Sequence, residues 1–197
     1  MPKVVDHEQR RRDFVDAAYE TILEKGLAGT TVRAVAKKAG YTTGALVHYF
    51  GDKDELIKQA LTRFGDEVRA NMESAQSEKS GRSALLQLML EALPSNRGAG
   101  DRWRVWLAMW YRSESSQEMR REERARYREW LGRIEVVLEQ SVDCGELPDT
   151  LNLTEEARTI VAMIDGIGVQ YLMSNGRVPA RTLTAMVNGY LERLYRR

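Results

Sequence analysis

The segment Thr30-Thr31-Val32-Arg33-Ala34-Val35-Ala36-Lys37-Lys38-Ala39-Gly40-Tyr41-Thr42-Thr43-Gly44-Ala45-Leu46-Val47-His48-Tyr49-Phe50-Gly51-Asp52-Lys53 leaves this chain few ways to fold. Val32, Val35, Ala36 and Ala39 recur at helical spacing, and Gly40 stops that helix. Leu46 and Phe50 mark the inner side of a second short helix that starts behind Thr42 or Thr43. Two short helices joined by a tight glycine turn form a helix-turn-helix. The outer positions of the second helix carry small, hydroxyl and aromatic side chains instead of carboxylates, which is what a helix needs to lie against base edges in a major groove.

The candidate DNA-contacting residues follow from that placement. Thr31 caps the first of the two helices, and Arg33 on its outer side has guanidinium geometry suited to guanine or phosphate. Thr42 and Thr43 can cap the second helix and bond a phosphate. Gly44 and Ala45 let the backbone approach bases, and Val47, His48 and Tyr49 extend the same surface. Lys53, just past the helix, is placed to reach a flanking phosphate. From Lys25 to Gly51 there are four cations (Lys25, Arg33, Lys37, Lys38) and no Asp or Glu. An acid-free window suits an approach to phosphates, whereas the net charge of +1 says nothing either way.

The remaining sequence narrows the function by exclusion. With 197 residues and 43% hydrophobic content the chain can bury a sizeable core. It has no apolar run of about 18 residues, and Met1-Pro2-Lys3-Val4-Val5-Asp6 lacks the apolar centre of a signal peptide, so no membrane contact and a cytoplasmic location are expected. The single Cys144 has no disulfide or zinc-binding companion. His7 and His48 are the only histidines. There is no P-loop, no Gly-x-Gly-x-x-Gly after a strand and no Glu-x-x-His pair, so an enzyme gains little support and neither metal nor cofactor is expected.

Periodicity and punctuation predict an all-helical chain of nine helices. The first runs over about 8–25 and stops at Gly26, and the next two form the helix-turn-helix. Asp52 opens a capping box with Glu55, which starts a fourth helix reaching Ala75. Polar loops at Gln76–Gly81 and Pro94–Gly100 set off helices over about 83–93, 101–115, 116–142, 153–175 and 180–195. The expected organisation is a head over 1–52, a connecting helix over 53–75 and a body over 76–197.

Residues 29–56, running from Gly29 through the Ala36-Lys37-Lys38-Ala39-Gly40 turn to Tyr49, Phe50 and Lys53-Asp54-Glu55-Leu56, resemble the DNA-binding head of TetR-type transcriptional repressors. The body is similar to the BetI-type subgroup at Trp103-Arg104-Val105-Trp106-Leu107-Ala108-Met109-Trp110 and at Ile164-Asp165-Gly166. Val47 stands where many relatives carry an aromatic residue, so base preference does not transfer.

The resemblance implies a TetR-type fold and a homodimer that reads a near-palindromic double-stranded operator, joined through its eighth and ninth helices. Ile160, Ile164, Ile167, Gly168, Tyr171, Met186 and Tyr190 are the expected interface, and the apolar stripes of those two helices are wider than one neighbour needs. The resemblance also implies a hollow body that binds a small-molecule inducer, cationic or apolar. Met89, Trp106, Met109, Trp110, Met163, Gln170 and Tyr171 would line it, with aromatic faces able to hold a quaternary ammonium. The spacing of Trp103, Trp106, Leu107 and Trp110 equally fits plain core, and Asp165 fits either a pocket or a helix interface. The expected activity is repression relieved when a ligand moves the fourth helix and spoils a recognition-helix spacing of ~34–36 Å. The alternative is a regulator that is constitutive or answers to a protein partner, with a body that serves dimerisation alone.

Overall fold

The computed structural model describes residues 6–77, 80–94, 99–113 and 117–196. Among the described residues there are nine helices and no strand: α1 (His7–Gly29), α2 (Val32–Ala39), α3 (Thr43–Phe50), α4 (Lys53–Ser77), α5 (Gly81–Ala92), α6 (Ala99–Ser113), α7 (Gln117–Asp143), α8 (Leu153–Met173) and α9 (Ala180–Leu194). The architecture is all-helical, as the periodicity predicts. Parts of the expected loops (78–79 and 95–98) and the expected junction of the sixth and seventh helices (114–116) lie outside the described residues. The chain divides into two compact units, Met1–Val68 and Arg69–Arg197, with the boundary inside α4.

In the first unit, short-range bonds set most helix ends. The Asp6 carboxylate accepts from the Gln9 N–H at 3.0 Å and starts α1. Gly26 breaks that helix with φ 70° and ψ 174°, where the sequence predicts its end. One further turn follows, because the Thr30 hydroxyl donates to the Gly26 carbonyl at 2.8 Å and the Thr30 N–H donates to Leu27. Asp52 caps α4 by accepting from the Glu55 N–H at 2.8 Å, but only this half of the expected capping box forms. The Asp52 N–H donates to Phe50 and the Glu55 carboxylate accepts from Gln59. Phe14, Ala18 and Ile22 of α1, Val35 of α2, Leu46 of α3 and Leu56, Ala60 and Phe64 of α4 form the core. Each large apolar side chain removed from water contributes ~1.5–3 kcal/mol, which lets helices as short as α2 and α3 persist.

In the second unit, α7 packs against α5, α6 and α8, α5 packs on α9, and α6 packs on α8. Leu85, Leu88 and Met89 of α5, Ile134 and Leu138 of α7, Ile160, Val161 and Ile164 of α8 and Leu183, Val187 and Leu191 of α9 fill the centre. The α5 start precedes the predicted Ser83 because its cap comes from far away in sequence. Glu146, in the loop after α7, accepts from the Arg82 N–H at 2.9 Å, while Ser80 makes no capping bond. A Cβ at Gly81 would collide with that carboxylate. At the other end of the unit α8 stops at Met173, two residues before the expected Asn175, where left-handed Asn175 and Gly176 turn the chain and the Gly176 N–H donates to Tyr171.

Candidate nucleic-acid interface

The turn between α2 and α3 is built by Gly40 at φ 75°, whose conformation lets the Tyr41 N–H donate to the Ala36 carbonyl at 2.9 Å. Thr31 caps α2 by accepting from the Ala34 N–H, and Thr42 caps α3 by accepting from the Ala45 N–H, both at 3.1 Å. Of the two threonines the sequence offers for the α3 cap, Thr42 takes the role and Thr43 becomes the first helical residue.

Two phenols tie α3 to α1. Tyr41, just before α3, donates to Asp13 at 2.8 Å, and Gln9 donates to the other Asp13 oxygen. These bonds hold the Asp13 carboxyl below its ordinary range and push the Tyr41 hydroxyl up. At the other end the Tyr49 hydroxyl meets His7 Nδ1 at 2.8 Å, and Arg11 donates to the Tyr49 carbonyl at 3.2 Å. Arg11 also lies 4.9 Å over the Phe50 ring.

This anchoring leaves one outward face. Thr43, Gly44, Val47 and His48 are exposed, Ala45 and Tyr49 are half-buried, and Leu46 and Phe50 point into the core. The face carries no carboxylate. Around it Arg33 and Lys37 are exposed and Lys53 is half-buried, and none of the three makes an ion pair among the described residues. Lys38 differs: its ammonium lies 2.5 Å from Glu24 and 3.2 Å from Glu20, which pushes its pKa up. One cation of the acid-free window is therefore balanced by α1. His7, Arg11, Asp13 and Tyr41 position the face, and sequence reasoning missed them because their bonds span 28 to 42 positions.

The residues predicted for the body are dispersed. Met89 and Met109 are core, Trp106 and Trp110 are half-buried with ring centroids 6.2 Å apart, Met163 is half-buried and Gln170 is exposed. Tyr171 lies against Gly100 and Gly176, where an added Cβ would meet its ring. Trp103 is buried and donates its indole N–H to Ala92 at 2.9 Å, and its ring covers Gly168 so closely that no Cβ could fit there. Ile160, Ile164, Ile167 and Gly168 are buried within a single chain, so their surface is already consumed by its own core. Met186 remains 41% exposed, and Tyr190 is half-buried with its hydroxyl on Glu156.

A cleft of about 440 Å³ opens near Trp110, lined among others by Glu123, Tyr127, Leu131 and Arg158. It shares only Trp110 with the predicted ligand set. Glu123 bonds Arg126 and Trp110, yet burial pushes its carboxyl above the ordinary range. Burial likewise pushes Asp165 up to about 6. Among the described residues no His/Cys/Asp/Glu cluster fit for a metal occurs, and no helix is long and apolar enough to cross a membrane.

A capped helix-turn-helix with an uncharged reading face, on a chain whose other unit is a larger bundle of helices, defines a DNA-binding transcriptional regulator. Residues 14–60 match the family of bacterial regulatory proteins described as tetR, and residues 81–196 match the BetI-type transcriptional repressor C-terminal family. The chain belongs to the TetR family of transcriptional repressors, with a C-terminal domain of the BetI type. It is 27% identical to the HTH-type transcriptional regulator PksA of Bacillus subtilis over 98% of this chain and 93% of that protein. It is 27% identical to the HTH-type transcriptional regulator BetI of Burkholderia cenocepacia over 98% of each chain. A transcriptional-regulator structure from Saccharomonospora viridis in complex with choline shares the fold, with a TM-score of 0.85, 22% identity and coverage of 94% of this chain and 96% of that one. The families and relatives matched are regulators, not enzymes.

Proposed function

We propose that the protein acts as a homodimer that represses transcription from a near-palindromic operator and releases it when a small molecule occupies the helical body. The observation that carries this reading is the outward face of α3. Thr43, Gly44, Val47 and His48 offer base contacts without a carboxylate, Thr42 and Thr31 sit at helix starts able to meet phosphate, and Arg33 and Lys53 flank the face. Tyr49, with its hydroxyl on His7, and half-buried Ala45 complete the set at its edge.

The proposed dimer contact uses what α8 and α9 leave exposed instead of their buried stripes. Ala162, Gly166 and Met173 on α8 and Ala185 and Met186 on α9 are exposed and mostly small, which allows two helix pairs to approach closely. Tyr171 and Tyr190 lie half-buried on the same helices. A cytoplasmic location follows from acting on chromosomal DNA. Support for a ligand comes from the half-buried Trp106–Trp110 pair and the adjoining cleft.

The test is retention of genomic fragments by the purified protein at graded salt, with sedimentation for the dimer mass. Replacing both Arg33 and Lys53 by Ala removes two cations from each protomer, so it should weaken operator binding at least ~10²-fold and lower the slope of log affinity against log salt by about four. Retention that ignores salt, or a double variant that binds as tightly as the parent, would overturn the reading.

A further inference from the structure

α7 opens with an unusual charge row. Arg120, Arg124 and Arg128 are spaced i, i+4, i+8, so they line one side of the helix, where like charges four apart repel one another. A cleft of about 500 Å³ runs beside this row, lined by all three with Gln117 and Arg121. The same three arginines also line the 440 Å³ cleft, whose other walls include Trp110, Tyr127 and Arg158 of α8. Either volume suits a small organic ligand.

The two carboxylates that precede Arg124 are engaged by Arg126. Glu122 and Glu123 lie 4.0 and 3.2 Å from Arg126, which is outside the row, and Glu123 also bonds Trp110 on the wall of the 440 Å³ cleft. Among the described residues Arg124, Arg128 and Arg158 make no ion pair, and Glu123 is the only carboxylate lining either cleft. Guanidinium groups present planar, paired donors that match carboxylate and phosphate oxygens, and a bound oxyanion would relieve the repulsion along α7. The Trp110 and Tyr127 rings supply a flat apolar wall beside them.

We infer that this cleft binds an organic oxyanion, with Arg124, Arg128 and Arg158 on its carboxylate or phosphate and an aromatic body set against Trp110 and Tyr127. The inference rests on the reading of the body as ligand-binding and sets the ligand's charge opposite to that of a quaternary ammonium, which would meet four lining guanidiniums.

Calorimetric titration of the full-length protein with 1-naphthyl phosphate, 1-naphthoate, neutral 1-naphthalenemethanol and choline tests it. Both anions should bind, the alcohol at least tenfold more weakly, and choline not at all. Which anion binds more tightly identifies the preferred oxyanion. Replacing Arg124 and Arg128 together by Gln should weaken the anions at least tenfold and leave the alcohol unchanged, and Arg158→Gln, on a different helix, should act in the same direction if the double variant does not fold. Failure of both anions to bind, choline binding as tightly as they do, or arginine variants that bind like the parent would overturn the inference. Operator retention by the ligand-free protein is measured alongside: retained DNA with no anion binding sinks this site alone, whereas lost retention sinks the regulator reading.

Discussion

The two units of this chain hold their exposed chemistry in place by different means. In the first, the α3 face is small and uncharged, and short polar bonds from caps and from α1 fix it: Thr42 to Ala45, Tyr41 to Asp13, Tyr49 to His7. In the second, order comes from side-chain volume, with Trp103 pressed on Gly168 and Met89 and Met109 sealed inside. A recognition surface can thus be specified by a few directional bonds, whereas a five-helix body must be specified by packing, and the two should fail differently when altered.

The largest effect is expected in the body. Trp103→Ala empties the space over Gly168 and frees the Ala92 carbonyl, and should cost ~3–5 kcal/mol in a urea unfolding series. A cost under ~1 kcal/mol would mean that packing does not organise this unit. A smaller loss belongs to the head, where Thr42→Ala removes the α3 cap at a cost of ~1 kcal/mol and weakens operator binding. Thr42→Ser should restore both, and a serine variant as weak as alanine would separate the cap from the reading face.

The smallest effect is a gain and depends on pH. The folded chain holds the Asp165 proton up to about pH 6, against an ordinary carboxylate value of 3.8. The native state therefore binds more protons than the unfolded chain between those values, and stability falls as pH rises through the window. Asp165→Asn removes that loss, so its thermal midpoint should exceed the parent's by ~2–4 °C at pH 7.5 and converge with it near pH 4. A gain that is the same at both pH values would assign the effect to packing instead of ionisation.

What could be read from residue order follows the same division. The turn at Gly40, the caps at Thr31, Thr42 and Asp52 and the inward pair Leu46 and Phe50 are encoded within a few positions, and the structure contains each of them. Long-range bonds carry no such signature. Nothing near Lys38 announces Glu20 and Glu24, and nothing near Gly81 announces Glu146. Periodicity in α6 identifies apolar positions but not the neighbour each one meets. Trp103 therefore reads like Trp110, although one is buried over a glycine and the other lies on a cleft. The small and apolar stripe of α8 likewise does not say whether its own chain or a partner consumes it.

The tethering of α3 at Tyr41 and Tyr49 has an evolutionary consequence. Because the side chains of Thr43, Val47 and His48 take no part in the bonds that hold the helix, they contribute little to folding and can be exchanged at little cost in stability. A duplicated copy of such a gene can drift toward a new operator in single steps without passing through an unfolded ancestor.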